Sequence, residues 1–138
     1  MALPPLVVDV DRVKPLDFDG TYQSRMILDH VVTGQPDVVQ INHGTVAPHA
    51  ALGGATHEDD EIYYILSGHG KLQLDDQVVE VRPDQVIFIP RGVFHALDNR
   101  ESDEALKILT FWRDYRSNDA YETRMRLWGK SFKTVDED

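Results

Sequence analysis

THEDDEIYYILSGHG (residues 56–70) and DQVIFIPRGVFHALDN (residues 84–99) decide how this chain is read. Each joins a polar turn to a short run of β-branched and aromatic residues, the composition of a pleated, half-buried strand. In the first, three residues separate His57 from Glu61 and six separate Glu61 from Gly68. In the second, five residues lie between Asp84 and Pro90; Arg91-Gly92 follows, then two residues, His95, three residues and Asn99. Side chains alternate along a strand, so a histidine and a carboxylate at the edge of one strand can meet a histidine of a neighbour inside a barrel. Pro90-Arg91-Gly92 supplies the turn that feeds His95 inward.

Outward from these stretches the same texture continues. Strands are predicted near 22–32, 38–46, 61–66, 71–74, 78–82, 86–90, 93–99 and 106–112, separated by Gly, Pro and Asp clusters. Asp75-Asp76-Gln77 is a short acidic linker suited to a hairpin turn. Helical periodicity enters only at the end, where Ser117 or Asn118 can cap a helix over 118–129. Tyr121, Met125 and Trp128 are its apolar stripe and Gly129 its stop. This helix is expected on the outside of the barrel. Residues 1–20 carry Pro4, Pro5 and Pro15 and read as an extended arm able to pair across a dimer, and 130–138 as a solvated or partner-contacting tail. One all-β domain spanning 1–138 is the expectation.

Composition narrows the chemistry. The chain has no cysteine, so any metal must be held by nitrogen and oxygen. A formal net charge of −10 argues against a nucleic-acid partner, which needs clustered Lys and Arg. With 41% hydrophobic and 28% charged residues and no long apolar run, no membrane partner is expected. The start, MALPPLVVDVDRVK, lacks the features of a secretory signal, and a cytoplasmic location is the expectation.

The two quoted stretches resemble the two sequence motifs of the cupin superfamily, over about fifty residues. The resemblance implies a small jelly-roll-like β-barrel and a homodimer pairing through edge strands. It also implies a divalent transition metal held by His57, Glu61 and His95. There are departures. The family's first motif carries two histidines two residues apart, and here the earlier place is Ala55; the glycines that open the motifs are replaced by His49 and Asp84. Two imidazoles and one carboxylate form a facial set that suits Fe(II), and also Mn, Ni, Co or Zn, with positions left open.

His49 is a candidate fourth ligand, although eight residues along an extended strand carry it roughly 26 Å from His57 unless Gly53-Gly54 folds back. His43 is another. Tyr63 shares the face of Glu61 and offers a catalytic hydroxyl. Gln40, Asn42, Ile108 and Trp112 are candidate substrate-contacting residues whose facing is open. His30 and His69 are assigned to the surface, and Glu58–Asp60 to a solvated acidic run. The function expected is a metal-dependent enzyme on an oxygen-rich small molecule, a sugar derivative or a keto or hydroxy acid, by isomerase, epimerase, lyase or decarboxylase chemistry. The alternatives are an Fe(II)-dependent dioxygenase and a non-enzymatic small-molecule-binding barrel.

Overall fold

In the computed structural model, residues 4–117 and 119–137 are described. The strands are β1 (Leu16–Phe18), β2 (Tyr22–Leu28), β3 (Gln40–Val46), β4 (Ala51–Ala55), β5 (Glu61–Ser67), β6 (Gly70–Leu74), β7 (Gln77–Val81), β8 (Val86–Ile89), β9 (His95–Asp98) and β10 (Leu106–Trp112). The helices are α1 (His30–Thr33) and α2 (Asp119–Trp128). The strands form a six-stranded sheet, ordered β1-β2-β3-β10-β5-β8, and a four-stranded sheet, ordered β4-β9-β6-β7, with every pairing antiparallel. The expected all-β barrel with a C-terminal helix is therefore the fold.

Period-two alternation sets the inside. Along β10, Leu106, Ile108, Thr110 and Trp112 are buried; β3 buries Gln40, Asn42, Gly44 and Val46, and β5 buries Glu61, Tyr63 and Ile65. The register aligns Leu106 with Val46 at one end and Thr110 with Asn42 and Tyr63 toward the other. The interior thus passes along one direction from an apolar plug, with Ile65, Leu72, Leu97, Leu106 and Ile108 essentially fully buried, to a polar end. Hydrophobic burial secures the first end, and buried polar groups at the second require partners. Gly68 lets the chain leave β5 for the second sheet. Its φ is +86°, and a Cβ there would lie 2.9 Å from Leu106 Cα and closer still to the Ala105 carbonyl oxygen.

Several expectations are corrected. Strand β2 stops at Leu28, because Asp29 accepts the amides of Val31 and Val32 at 3.0 and 2.8 Å and caps the one-turn α1. The Gly53-Gly54 segment forms β4, pairing Ala51 with Asp98 and Ala55 with His95. The arm is tied to its own chain: Leu16–Phe18 pairs with β2, and Val13, 2% exposed, bridges Thr134 of the tail. The tail is held in turn, since Lys14 N–H donates to the Lys133 carbonyl at 2.8 Å and Ser131 and Lys133 are buried.

Helix α2 also departs from the expected stripe. Met125 is exposed, Tyr121 and Trp128 are half-buried, and the face turned inward carries Ala120 and Arg124. The helix does not lie on the outer wall: Arg124 reaches Ser24 and Asn42, which project from the inner faces of β2 and β3. Of the two proposed caps, Asn118 lies outside the described residues and Ser117 belongs to a 3-10 turn, Tyr115–Ser117. Among the described residues no helix is long and apolar enough to cross a membrane.

Candidate metal centre

Glu61 opens β5 on its inward parity, and His95 opens β9 in the facing sheet, so the two meet across the polar end of the interior. His57 comes from the loop between β4 and β5 and is half-buried. That loop is pinned by acidic side chains. Asp59 Oδ2 accepts the amides of Arg113 and Asp114 at 2.8 and 2.6 Å, and Asp60 Oδ1 accepts the Arg91 amide at 2.9 Å and faces its guanidinium. The Gly92 amide donates to the His57 carbonyl at 2.8 Å, fastening the turn before His95 to the same loop. The run 58–60 is therefore structural at Asp59 and Asp60 and not merely solvated. Its signal in the sequence, carboxylates next to turns, also fits an exposed loop.

One ligand atom from each of His57, Glu61 and His95 lies within 4.8 Å of the others. His95 Nδ1 sits 3.0 Å from the Val93 carbonyl, which can only accept, so Nδ1 carries the hydrogen and neutral His95 presents Nε2 as a bare lone pair. That nitrogen lies 3.0 Å from Glu61 Oε1, and Oε1 is buried with no hydrogen-bond partner. Two acceptors facing each other 3.0 Å apart in a buried site need either a proton or a cation between them. Burial works against the imidazolium, but the Glu61 carboxylate and the Val93 carbonyl outweigh it and hold the His95 pKa above its ordinary value. The donor set fits a divalent transition ion equally well: nitrogen and carboxylate ligands, converging, with one flank open.

The open flank is Ala55, which pairs with His95 across β4 and β9 and lines the cavity. The cavity, of about 200 Å³, is walled also by Tyr22, Ser24, Tyr63, Ile108 and Thr110. Tyr63 sits edge-on to His95, with ring centroids 6.0 Å apart, and burial raises its pKa well above the usual phenol value. Ile108 contributes apolar wall. Gln40 and Trp112 are buried but do not line the cavity; Asn42 stands one layer behind Tyr22 and Ser24, bonded to both.

His49 does not join the site. It is exposed in a left-handed conformation, φ 60°, with Nδ1 3.1 Å from the Arg100 carbonyl and Nε2 2.8 Å from Asp103. His43 lies on the opposite face of β3, where burial and the charges of Arg25 and Lys107 lower its pKa. His69 is exposed as expected, whereas His30 is half-buried and stacked on Tyr115 at 3.8 Å. Tyr22, Ser24 and Arg124 escaped the sequence reading altogether. A surface-looking arginine on a short helix carries no sign that it turns inward.

A family model described as a cupin domain matches residues 42–112. A protein of Methanocaldococcus jannaschii described as uncharacterized is 29% identical over 97 residues, 66% of this chain and 73% of its own. Among solved structures, that of a predicted oxalate decarboxylase from Thermotoga maritima superposes with a TM-score of 0.69 at 20% identity, covering 78% of this chain and 98% of that one. The polyketide cyclase RemF of Streptomyces resistomycificus gives a TM-score of 0.69 at 24% identity, covering 80% of each chain. KdgF from Halomonas gives a TM-score of 0.60 at 20% identity, covering 72% of this chain and 87% of that one. At these identities the structural likeness establishes the fold alone.

Proposed function

The chain belongs to the cupin family, and from that premise we propose that it is a metal-dependent enzyme acting on a small oxygen-rich molecule, with His57, Glu61 and His95 holding one divalent transition ion. The observation that carries the reading is the pair of bare acceptors, His95 Nε2 and Glu61 Oε1, buried 3.0 Å apart with His57 beside them. When bound, such an ion supplies Lewis acidity toward substrate oxygens. The chain's own groups do the rest. Val93 holds the His95 ring in the tautomer that offers Nε2, and Asp59 and Asp60 fix the His57 loop. Ile108 and the apolar plug below it close one end of the cavity to water. Tyr63, kept protonated by burial, offers a proton to an oxygen in the cavity.

The structural neighbours include a predicted oxalate decarboxylase and a polyketide cyclase, so the reaction is proposed only as chemistry at a carbon next to a chelated oxygen. A second reading rests on Ala55: with that ligand place vacant, the barrel can serve as a binder that performs no reaction. Elemental analysis after incubation with Fe, Mn, Ni, Co or Zn tests the centre. About one ion per chain is expected, lost in His57→Ala and His95→Ala with circular dichroism unchanged. A wild-type protein that retains none of these ions, or variants that both keep theirs, refutes the assignment. Oxygen uptake by the Fe(II) form separates a dioxygenase from proton-transfer chemistry.

A further inference from the structure

Arg124 is the most deeply buried basic side chain, 1% exposed, and among the described residues it makes no ion pair. Burial brings its pKa down only to about 10, so it is a cation at neutral pH. The carboxylate of Asp29 is committed elsewhere, to the amides of Val31 and Val32 and the hydroxyl of Ser131. Nε and one terminal nitrogen of Arg124 have no partner. A buried guanidinium without an ion pair is costly, and its charge, offset in part by the Asp29 carboxylate, acts on the groups it donates to.

The hydrogen bonds running from Arg124 have a fixed direction. A guanidinium only donates, so its Nη2 gives to Ser24 Oγ, and also to Asn42 Oδ1 at 3.3 Å. The second bond requires that the Asn42 oxygen, not its NH2, faces this side. Ser24 Oγ then donates to the same Oδ1 at 2.6 Å, and Asn42 Nδ2 donates to the Tyr22 hydroxyl oxygen at 3.3 Å. Tyr22 is thereby an acceptor from Asn42, and its own proton is left over. Ser24 Oγ, which already accepts from Arg124, is the neighbour that competes for that proton until a better acceptor enters the cavity. Tyr22 lines the cavity that holds His57, Glu61 and His95. Its ring reaches there because it lies over Gly44, where any side chain would collide with it.

We propose that Tyr22 is a substrate-binding hydrogen-bond donor for an anionic oxygen, its polarity set by Arg124 through Ser24 and Asn42, and that the cavity consequently takes a small organic acid. The carboxylate would lie against the Tyr22 hydroxyl, within the field of the Arg124 cation. Burial keeps the phenol protonated, with its pKa pushed up to about 12, so it donates throughout the physiological range. The proposal rests on the metal-centre reading for the site's other end, but the tyrosine end can be measured separately.

The experiment uses the full chain, first titrated with Mn(II), then by calorimetry with malonate and with its neutral analogue malonamide. Wild-type protein is expected to prefer malonate by about 10-fold or more, as a charge-assisted hydrogen bond implies. Tyr22→Phe should lose about 10-fold in malonate affinity, leave malonamide unchanged and keep the wild-type Mn(II) stoichiometry. Arg124→Met should erase the preference; if it does not fold, Asn42→Leu, which cuts the relay without removing the charge, is expected to weaken malonate binding. Failure of the metal reading appears as no Mn(II) uptake, in which case the metal-free protein is titrated with the same two compounds. Equal affinity of wild type and Tyr22→Phe for malonate, no preference over malonamide, or no malonate binding by either form overturns the proposal.

Discussion

Replacing Gly44 by alanine tests how closely the cavity wall is built. Gly44 sits mid-strand in β3 and is buried. A Cβ there would lie 2.9 Å from Tyr22 Cε1 and nearer still to the hydroxyl oxygen, where ordinary contact begins near 3.4 Å. The ring must withdraw by several tenths of an ångström or more, and the 3.3 Å bond from Asn42 Nδ2 lengthens past the hydrogen-bonding range. Overpacking of this kind costs about 1–3 kcal/mol. Against it stands a gain of roughly 0.5–1 kcal/mol from replacing glycine within a strand. The expected net loss is about 0.5–2 kcal/mol, read by urea denaturation as a lower midpoint with an unchanged slope. The cost should depend on the ring, so in a Tyr22→Ala background the same Gly44→Ala change should stabilise, giving a coupling of about 1–3 kcal/mol, the overpacking cost itself. Equal effects of Gly44→Ala in both backgrounds would show that Tyr22 does not pack over Gly44, and the account of the wall would fall with it.

Asp59→Ala should strip acceptors from the amides of Arg113 and Asp114, costing about 1–2 kcal/mol and weakening metal retention by loosening the His57 loop. Asp59→Asn, which keeps an acceptor, should restore most of both in a paired measurement of stability and metal content. Metal uptake should also depend on pH in a direction set by His95. Its pKa is raised when no ion is bound, so the proton that must leave before Nε2 can ligate is held more tightly than in a free histidine. Affinity for Co(II), followed by its visible absorption, should therefore be full at high pH and begin to fall at a pH above the free-histidine value of about 6.5. A logarithmic plot of affinity that stays flat to pH 6 would contradict the raised pKa of His95.

The barrel was legible in the linear chain because strand alternation is local chemistry, and the meeting of His57, Glu61 and His95 because their spacing resembles the cupin motifs. Strand alternation puts Glu61 and Tyr63 on one face whatever the rest of the protein does, and Pro90-Arg91-Gly92 forces a turn before His95. The strand at Ala51–Ala55 was not legible, since its two glycines carry no β preference and its pairing with β9 is supplied by the partner. His49 shows the same limit from the other side. Its residue type suits a ligand, but a left-handed backbone aims it at Arg100 and Asp103, away from the cavity.

What the sequence by itself determined is the set of short-range rules: strand period, turn residues, the absence of thiolate chemistry and the spacing of three ligand-type side chains. Only the tertiary structure decided which polar residues share the interior with them. Arg124 looks solvated on a helix read alone, and it becomes a buried cation because α2 closes against β2 and β3, about a hundred residues earlier in the chain. Burial is a property of what packs against a residue, and no local pattern encodes it.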